Sequence, residues 1–271
     1  MPENRRFPAV TATLAVLLAA AVTAIPVVWV SGAGERADES PDAIAVGGSA
    51  TAPVPEPAEP EVVEFVENST GPQASFYSLA DGHRVGTATE RFARPALSLA
   101  KLFIAAYVIE HGTEEETYQA IHMISDSSDE AADELYKKYP DSIDEVAEEY
   151  GLYSTRGADR WGYSDTSTYD VVTFVATLLA EDPTHPILVA MHMADPVAED
   201  GYGQDFGTSL LPGAVGTKWG WSDDLSLHSS VTFGNGWVAA AAVTGSPDDL
   251  TKFVETQMSD VVEEANEAGR S

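Results

Sequence analysis

The chain has 271 residues, which at roughly 150 residues per domain allows one large domain or two small ones. Against 14 lysines and arginines stand 44 aspartates and glutamates, a formal net charge of −30 that repels nucleic acid and suits a salty surrounding where self-repulsion is screened. With no cysteine there is no disulfide, no thiol nucleophile, no thiolate metal site and no lipid-bearing N-terminal cysteine.

Arg5-Arg6 precedes a run from Phe7 to Val30 that carries no charge. A bilayer crossing needs about 20 apolar residues, so this run could span one. Its basic start, apolar middle and small residues at Val22-Thr23-Ala24 or Ser31-Gly32-Ala33 equally fit a signal peptide. Residues 1–30 are therefore expected to be a signal peptide or an N-terminal membrane anchor. The rest would be extracytoplasmic, secreted or anchored by residues 7–30, with membrane contact only through that segment. Residues 31–62 are rich in Pro, Ala, Gly and Glu, lack apolar periodicity and read as a disordered linker. A folded domain over residues 63–271 remains.

Within that domain Gln73–Leu79 and Arg84–Thr89 alternate as strands around the turn Ala80-Asp81-Gly82-His83, a hairpin. Pro95 introduces a helix starting at Ser98, with Leu99, Leu102, Phe103, Ala106 and Tyr107 as its apolar stripe and Gly112 as its stop. Thr113 and Glu116 form a capping box for a helix to about Ile124. Ser127 with Glu130 reads as the capping box of the next, which Pro140 ends, and Ser142 with Glu145 as the capping pair of a short helix to Tyr150. Residues 151–164 are irregular. Helices follow from about Ser167 and from Pro186 to Ala194, then strands over Gly213–Trp221, Leu225–Phe233 and Trp237–Thr244, the last two joined by Gly234-Asn235-Gly236. Ser246-Pro247-Asp248-Asp249 opens a final helix. The pattern predicts an α/β fold of α+β type: an antiparallel sheet built from N- and C-terminal strands, flanked by helices, with an all-helical insertion.

Three polar features stand out on this framework. Ser98 and Lys101, three residues apart on one helix face near its N-terminus, can pair a nucleophile with a base. They equally suit a buried helix with a small polar residue at its start and a lysine snorkelling at its edge. Ser127 lies in a helix break, and Lys218 on a strand two residues before Gly220. The six histidines show no H-E-x-x-H and there is no G-x-S-x-G, so neither a metal, a cofactor nor a Ser-His-Asp triad is expected.

This arrangement resembles the serine β-lactamase and penicillin-binding-protein superfamily, whose motifs are S-x-x-K, S-x-N and K-[ST]-G. The nearest resemblance is to small class A-like exported serine hydrolases of actinobacterial type. Met123-Ile124, Ala131-Ala132-Asp133 and Trp161-Gly162-Tyr163-Ser164-Asp165-Thr166-Ser167-Thr168 also resemble segments of that family, over about residues 63–270. The resemblance implies Ser98 as acylated nucleophile, Lys101 as its base and Ser127 as proton relay to the leaving group. Lys218 would bind the substrate carboxylate and hold Lys101 deprotonated. The backbone N–H groups of Ser98 and Trp221 would be the oxyanion hole, with Gly220 beside it.

Four departures accompany it. Asp129 stands in place of the asparagine, where its carboxylate would pair with Lys101 or Lys218 and repel an anionic substrate; the register Ser125-Asp126-Ser127 is the alternative. Trp219 occupies the substrate-binding position of a hydroxyl residue. The Ser98-to-Ser127 spacing is short, so the helical insertion is expected to be abridged. No E-x-x-x-N occurs in residues 151–165, so the glutamate that activates a deacylating water is missing. Two functions are open: an exported acyl-serine hydrolase acting on a cell-wall peptide, β-lactam or related amide or ester, with peptidoglycan as partner, or a catalytically impaired binding or scaffolding module of the cell envelope.

Overall fold

The computed structural model describes residues 71–269. The expected N-terminal segment 1–30, the linker 31–62 and the start of the domain lie outside the described residues. Among the described residues no helix is long and apolar enough to cross a membrane.

The sheet begins with β1 (Gln73–Ser78) and the short β2 (Arg84–Gly86), paired antiparallel as the predicted hairpin. A two-residue strand β3 (Arg94–Pro95) leads into a 3-10 turn at Leu97–Leu99 and then α1 (Ala100–His111). Three helices complete the insertion: α2 (Glu114–Ser125), α3 (Asp129–Lys138) and α4 (Ser142–Tyr150). The segment after α4 ends in β4 (Asp165–Thr166), which pairs with β3 in a ribbon that local pattern does not reveal. Then come α5 (Thr168–Glu181) and α6 (Pro186–His192), which stops two residues short of the expected end. The C-terminal strands are β5 (Ala214–Trp221), β6 (Leu227–Gly234) and β7 (Trp237–Thr244), followed by α7 (Pro247–Ala268). Sheet order is β2-β1-β7-β6-β5, so the first and last strands of the domain lie side by side.

β7 explains why the sheet is central. Its run Val-Ala-Ala-Ala-Ala-Val sends Val238 and Ala240 into one apolar cluster and Ala239, Ala241 and Val243 into the other. A strand buried on both faces is apolar throughout, and period 2 splits it between two layers. The first layer is the helical insertion with α5 and α6, centred on Phe103, Phe174 and Val231. The second is α7, whose Leu250, Val254, Met258 and Val262 recur at helical spacing against Trp219 and Trp237.

The capping boxes of Thr113 with Glu116 and Ser246 with Asp249 form as the sequence predicts. Two others do not. The cap of α3 is Ser128, whose hydroxyl accepts from Ala131 N, and not Ser127. At α4 the cap position is Asp141, without a side-chain bond, while Ser142 is buried inside the first turn.

Candidate active site

Ser98 sits in the 3-10 turn that leads into α1, held there because α1 is buried along most of its length and fixes the turn against β5. The turn is entered through Leu97, whose φ of +54° is a left-handed conformation that non-glycine residues rarely take. Gly220 faces this turn. A Cβ on Gly220 would come within 2.9 Å of Leu97 Cβ and 3.0 Å of Ser98 N, so only glycine lets β5 approach so closely.

The edge position of β5 also directs the next residue. Ser222 N donates to Leu227 O, and bonded pairs alternate along an antiparallel ladder. The neighbouring pair Trp221–His228 is therefore a non-bonded one, with the Trp221 N–H turned away from β6 toward the open edge where the Ser98 turn lies.

Beneath Ser98 lie two fully buried lysines. Lys101 is the second residue of α1. Lys218 extends from β5 into the helical layer, on the face of the sheet shared with its cross-strand partner Val231. Both reach Ser127, which sits between α2 and α3 with φ +59°. Lys218 Nζ donates to Ser127 Oγ at 2.7 Å, and Lys101 Nζ donates to Ser127 O at 2.6 Å and more weakly to Ser127 Oγ at 3.4 Å. The register question is thereby answered: Ser125 bonds the backbone carbonyls of Ile121 and Ala190, away from the lysines.

Asp129 closes the group. Its Oδ1 lies 2.5 Å from Lys101 Nζ, with the aspartate side chain 69 % exposed and the lysine wholly buried. The Trp161 ring lies over the same ammonium, 4.7 Å from Nζ to centroid. Burial pushes the Lys101 ammonium below its ordinary value, against the opposing pull of Asp129. Burial, and next the positive charge of Lys101, push Lys218 well below its own. Lys101 is thus paired with Asp129, and Lys218, the more strongly lowered of the two, lies beside Ser127. Ser98 is 7 % exposed, and among the described residues its hydroxyl has no hydrogen-bond partner.

Ser98 opens into a cleft of about 820 Å³ that Asp129, Trp161, Tyr202 and Trp221 also line. Trp219 does not line it, which corrects its reading as a substrate-binding residue. Strand alternation turns Trp219 to the opposite face from Lys218, where it is buried in the α7 layer and donates from Nε1 to Phe206 O at 2.9 Å.

Three cleft features have no local sequence signal. Trp161 Nε1 donates to Asp133 Oδ1 at 2.7 Å, and Trp221 Nε1 to Asp200 Oδ2 at 3.1 Å. Tyr202 stacks on Trp221 with ring centroids 4.7 Å apart. Its hydroxyl lies 2.8 Å from Nε2 of buried His228, whose Nδ1 lies 2.7 Å from Gly245 O. A carbonyl can only accept, so Nδ1 carries the proton and Nε2 accepts from Tyr202. Burial also lowers the His228 pKa, in keeping with a neutral ring. Among the described residues no cluster of His, Asp and Glu is arranged to hold a metal ion.

No protein-family model matches the sequence, and no curated protein matches it. Solved structures do match the fold. Penicillin-binding protein D2 from Listeria monocytogenes in its cefotaxime-bound form aligns with TM-score 0.52 and 17 % identity, over 75 % of this chain and 98 % of its own. A β-lactamase from Burkholderia vietnamiensis aligns with TM-score 0.53 and 14 % identity, over 72 % of this chain and 95 % of its own. The TLA-3 extended-spectrum β-lactamase reaches TM-score 0.55 at 12 % identity, over 74 % and 96 %. The fold is that of the serine β-lactamases and penicillin-binding proteins.

Proposed function

We propose that this chain is an exported acyl-serine hydrolase that acts on a cell-wall peptide, β-lactam or related amide or ester through Ser98. The observation that carries the reading is the Ser127 hydroxyl held between two buried lysines, with Ser98 opening into the cleft from the turn that leads into the Lys101 helix. In the reaction Ser98 Oγ bonds to the substrate carbonyl carbon and its proton passes to the Lys101 amine, once that lysine has lost its own proton. The oxyanion takes hydrogen bonds from the N–H groups of Ser98 and Trp221. Donors of this kind are each worth about 10²–10³ in rate. The carbonyl carbon then releases its amine or alcohol, to which Ser127 gives a proton and regains one from the lysines. Water later cleaves the ester and frees the acid. With no glutamate placed for that water, the ester is expected to persist. Export by residues 7–30 and contact with peptidoglycan belong to this proposal.

One observation favours a second reading. Lys101 is bound to Asp129 at 2.5 Å, and nothing turns it to Ser98. In that reading the domain binds envelope peptides without covalent chemistry, as a scaffold. The test is a fluorescent penicillin with intact-mass analysis of the full chain and its Ser98→Ala variant. Stoichiometric labelling that is lost in Ser98→Ala supports the hydrolase. Absence of any adduct from penicillins, active esters and acyl-dipeptides gives the binding module.

A further inference from the structure

The lining of the cleft is aromatic and acidic. Trp161, Tyr163, Tyr202 and Trp221 line it, together with Asp129, Asp133, Asp200, Asp223 and Asp224. Arg160 is the one basic side chain among the described residues lining it. The carboxylates of Asp133 and Asp200 are each fixed by the indole N–H of a cleft tryptophan, Trp161 and Trp221. Asp200 is held a second time, by Tyr202 N at 2.8 Å. Two aromatic–carboxylate pairs thus line the same cleft as Ser98, which is more than nine-tenths buried and, among the described residues, without a hydrogen-bond partner. An adjoining hollow of about 720 Å³ shares Asp133, Arg160 and Trp161 and adds Asp141, Asp144 and Asp159 against Lys137.

The two buried lysines, which do not line the cleft, do little to offset these charges. The Lys101 ammonium is matched by Asp129, and Lys218 is driven toward its neutral form by burial. No hydroxyl follows Lys218 to receive a carboxylate, since Trp219 is buried on the other face of the sheet. Aromatic faces attract cations through their quadrupoles, and a cleft lined by one sign of charge concentrates ligands of the other. An anionic ligand would meet five aspartates against one arginine in the lining.

We propose that the cleft selects acyl donors and peptides that carry a positive charge, a primary or quaternary ammonium seated at the Trp161–Asp133 and Trp221–Asp200 pairs. The inference rests on reading this cleft as the acyl-transfer site, and it names the substrate class of that site. The cation is recognised before any bond changes, so binding can be measured apart from chemistry.

The test uses the full chain carrying Ser98→Ala, which binds without acylating. Its probes are three N-acetyl dipeptide amides that differ in one side chain: lysine, Nε-acetyl-lysine or glutamate. Calorimetry and tryptophan fluorescence read the affinities. The lysine peptide is expected to bind at least about tenfold more tightly than the acetylated one, and the glutamate peptide more weakly than either. Asp133→Asn and Asp200→Asn, made separately, should each reduce the preference severalfold, while Glu263→Gln, on the exposed face of α7, should leave it unchanged. Equal or tighter binding of the glutamate peptide overturns the proposal. So does a preference that survives both aspartate variants or falls equally with Glu263→Gln, which would make it a property of the general acidic surface. A failure of penicillin labelling in the unmodified chain would instead count against the acyl-transfer reading and leave these affinities readable.

Discussion

The Lys101 ammonium has three N–H bonds, and it directs them to the Ser127 carbonyl, the Asp129 carboxylate and, more weakly, the Ser127 hydroxyl. So held, it has no lone pair to offer Ser98. Asp129 is mostly exposed, so the pair is open to water and salt on one side and its partner can leave when a ligand enters. Replacing the carboxylate by an amide keeps an acceptor and removes the charge that favours the protonated lysine. Asp129→Asn is therefore expected to speed penicillin labelling of Ser98 at neutral pH by about tenfold, the equivalent of one pKa unit on Lys101. The readout is the labelling rate by intact mass over a series of times. A comparable loss of rate would make Asp129 an acceptor for the Lys101 proton during acylation.

At the scale of elements, the break between α2 and α3 assigns separate duties to two adjacent serines. Ser128 caps α3, while Ser127, in a left-handed conformation, points its hydroxyl at the lysines. Ser128→Ala should lower stability by about 1 kcal/mol and leave labelling in place. Ser127→Gly suits the left-handed backbone but takes away the acceptor of the buried Lys218 amine, so stability should fall by about 1 kcal/mol while labelling slows by about 10²-fold or more. Urea unfolding and labelling kinetics on the two variants separate the duties. If both lose labelling equally, the break acts as one structural unit.

That same break shows where the sequence runs out. Ser127-x-x-Glu130 is a better local capping pattern than Ser128-x-x-Ala131, yet two lysines remote in sequence recruit Ser127 and shift the cap by one residue. The strands at Trp237–Thr244 and the boxes at Thr113 and Ser246 were legible because period and cap chemistry are local. Lys218 and Trp219 were legible as residues of one strand, but which of them meets the helices is decided by the layers above and below β5. The Trp161–Asp133 and Tyr202–His228 contacts join separate elements, and no local spacing announces them.

For the whole molecule, charge and buried bases set the conditions of stability. At −30, self-repulsion opposes compactness, and raising salt from about 0.1 M to about 1 M shortens the Debye length from roughly 10 Å to 3 Å. The melting temperature is expected to rise over that range. The pH response follows from the lysines. Lys101 and Lys218 have folded values below the ordinary 10.5. Between the two values the unfolded chain binds more protons, so stability rises with pH through that window. His228, also lowered by burial, acts in the same sense below its ordinary 6.5, where the unfolded chain gains a proton first. Above pH 10 the sign reverses, because burial pushes Tyr150 up to about 12 and the folded chain then keeps a proton that the unfolded chain loses. Calorimetry should show the melting temperature climbing from mildly acid to alkaline pH and falling beyond. A flat profile would mean that burial does not lower Lys218 in the folded chain.

The side-by-side placement of the first and last strands has a consequence for timing. Gln73 faces Ala242 and Ser78 faces Trp237, so β1 waits for almost the entire domain before its central neighbour exists. Lys218 belongs to the same late group, on a strand that joins the sheet through β6. A chain emerging N-terminus first therefore carries Ser98 and Lys101 long before the second lysine arrives. Such long-range closures are slow to form. In the proposed acyl-transfer reading, Ser98 would therefore gain its full set of partners only once the final third of the chain has closed the sheet.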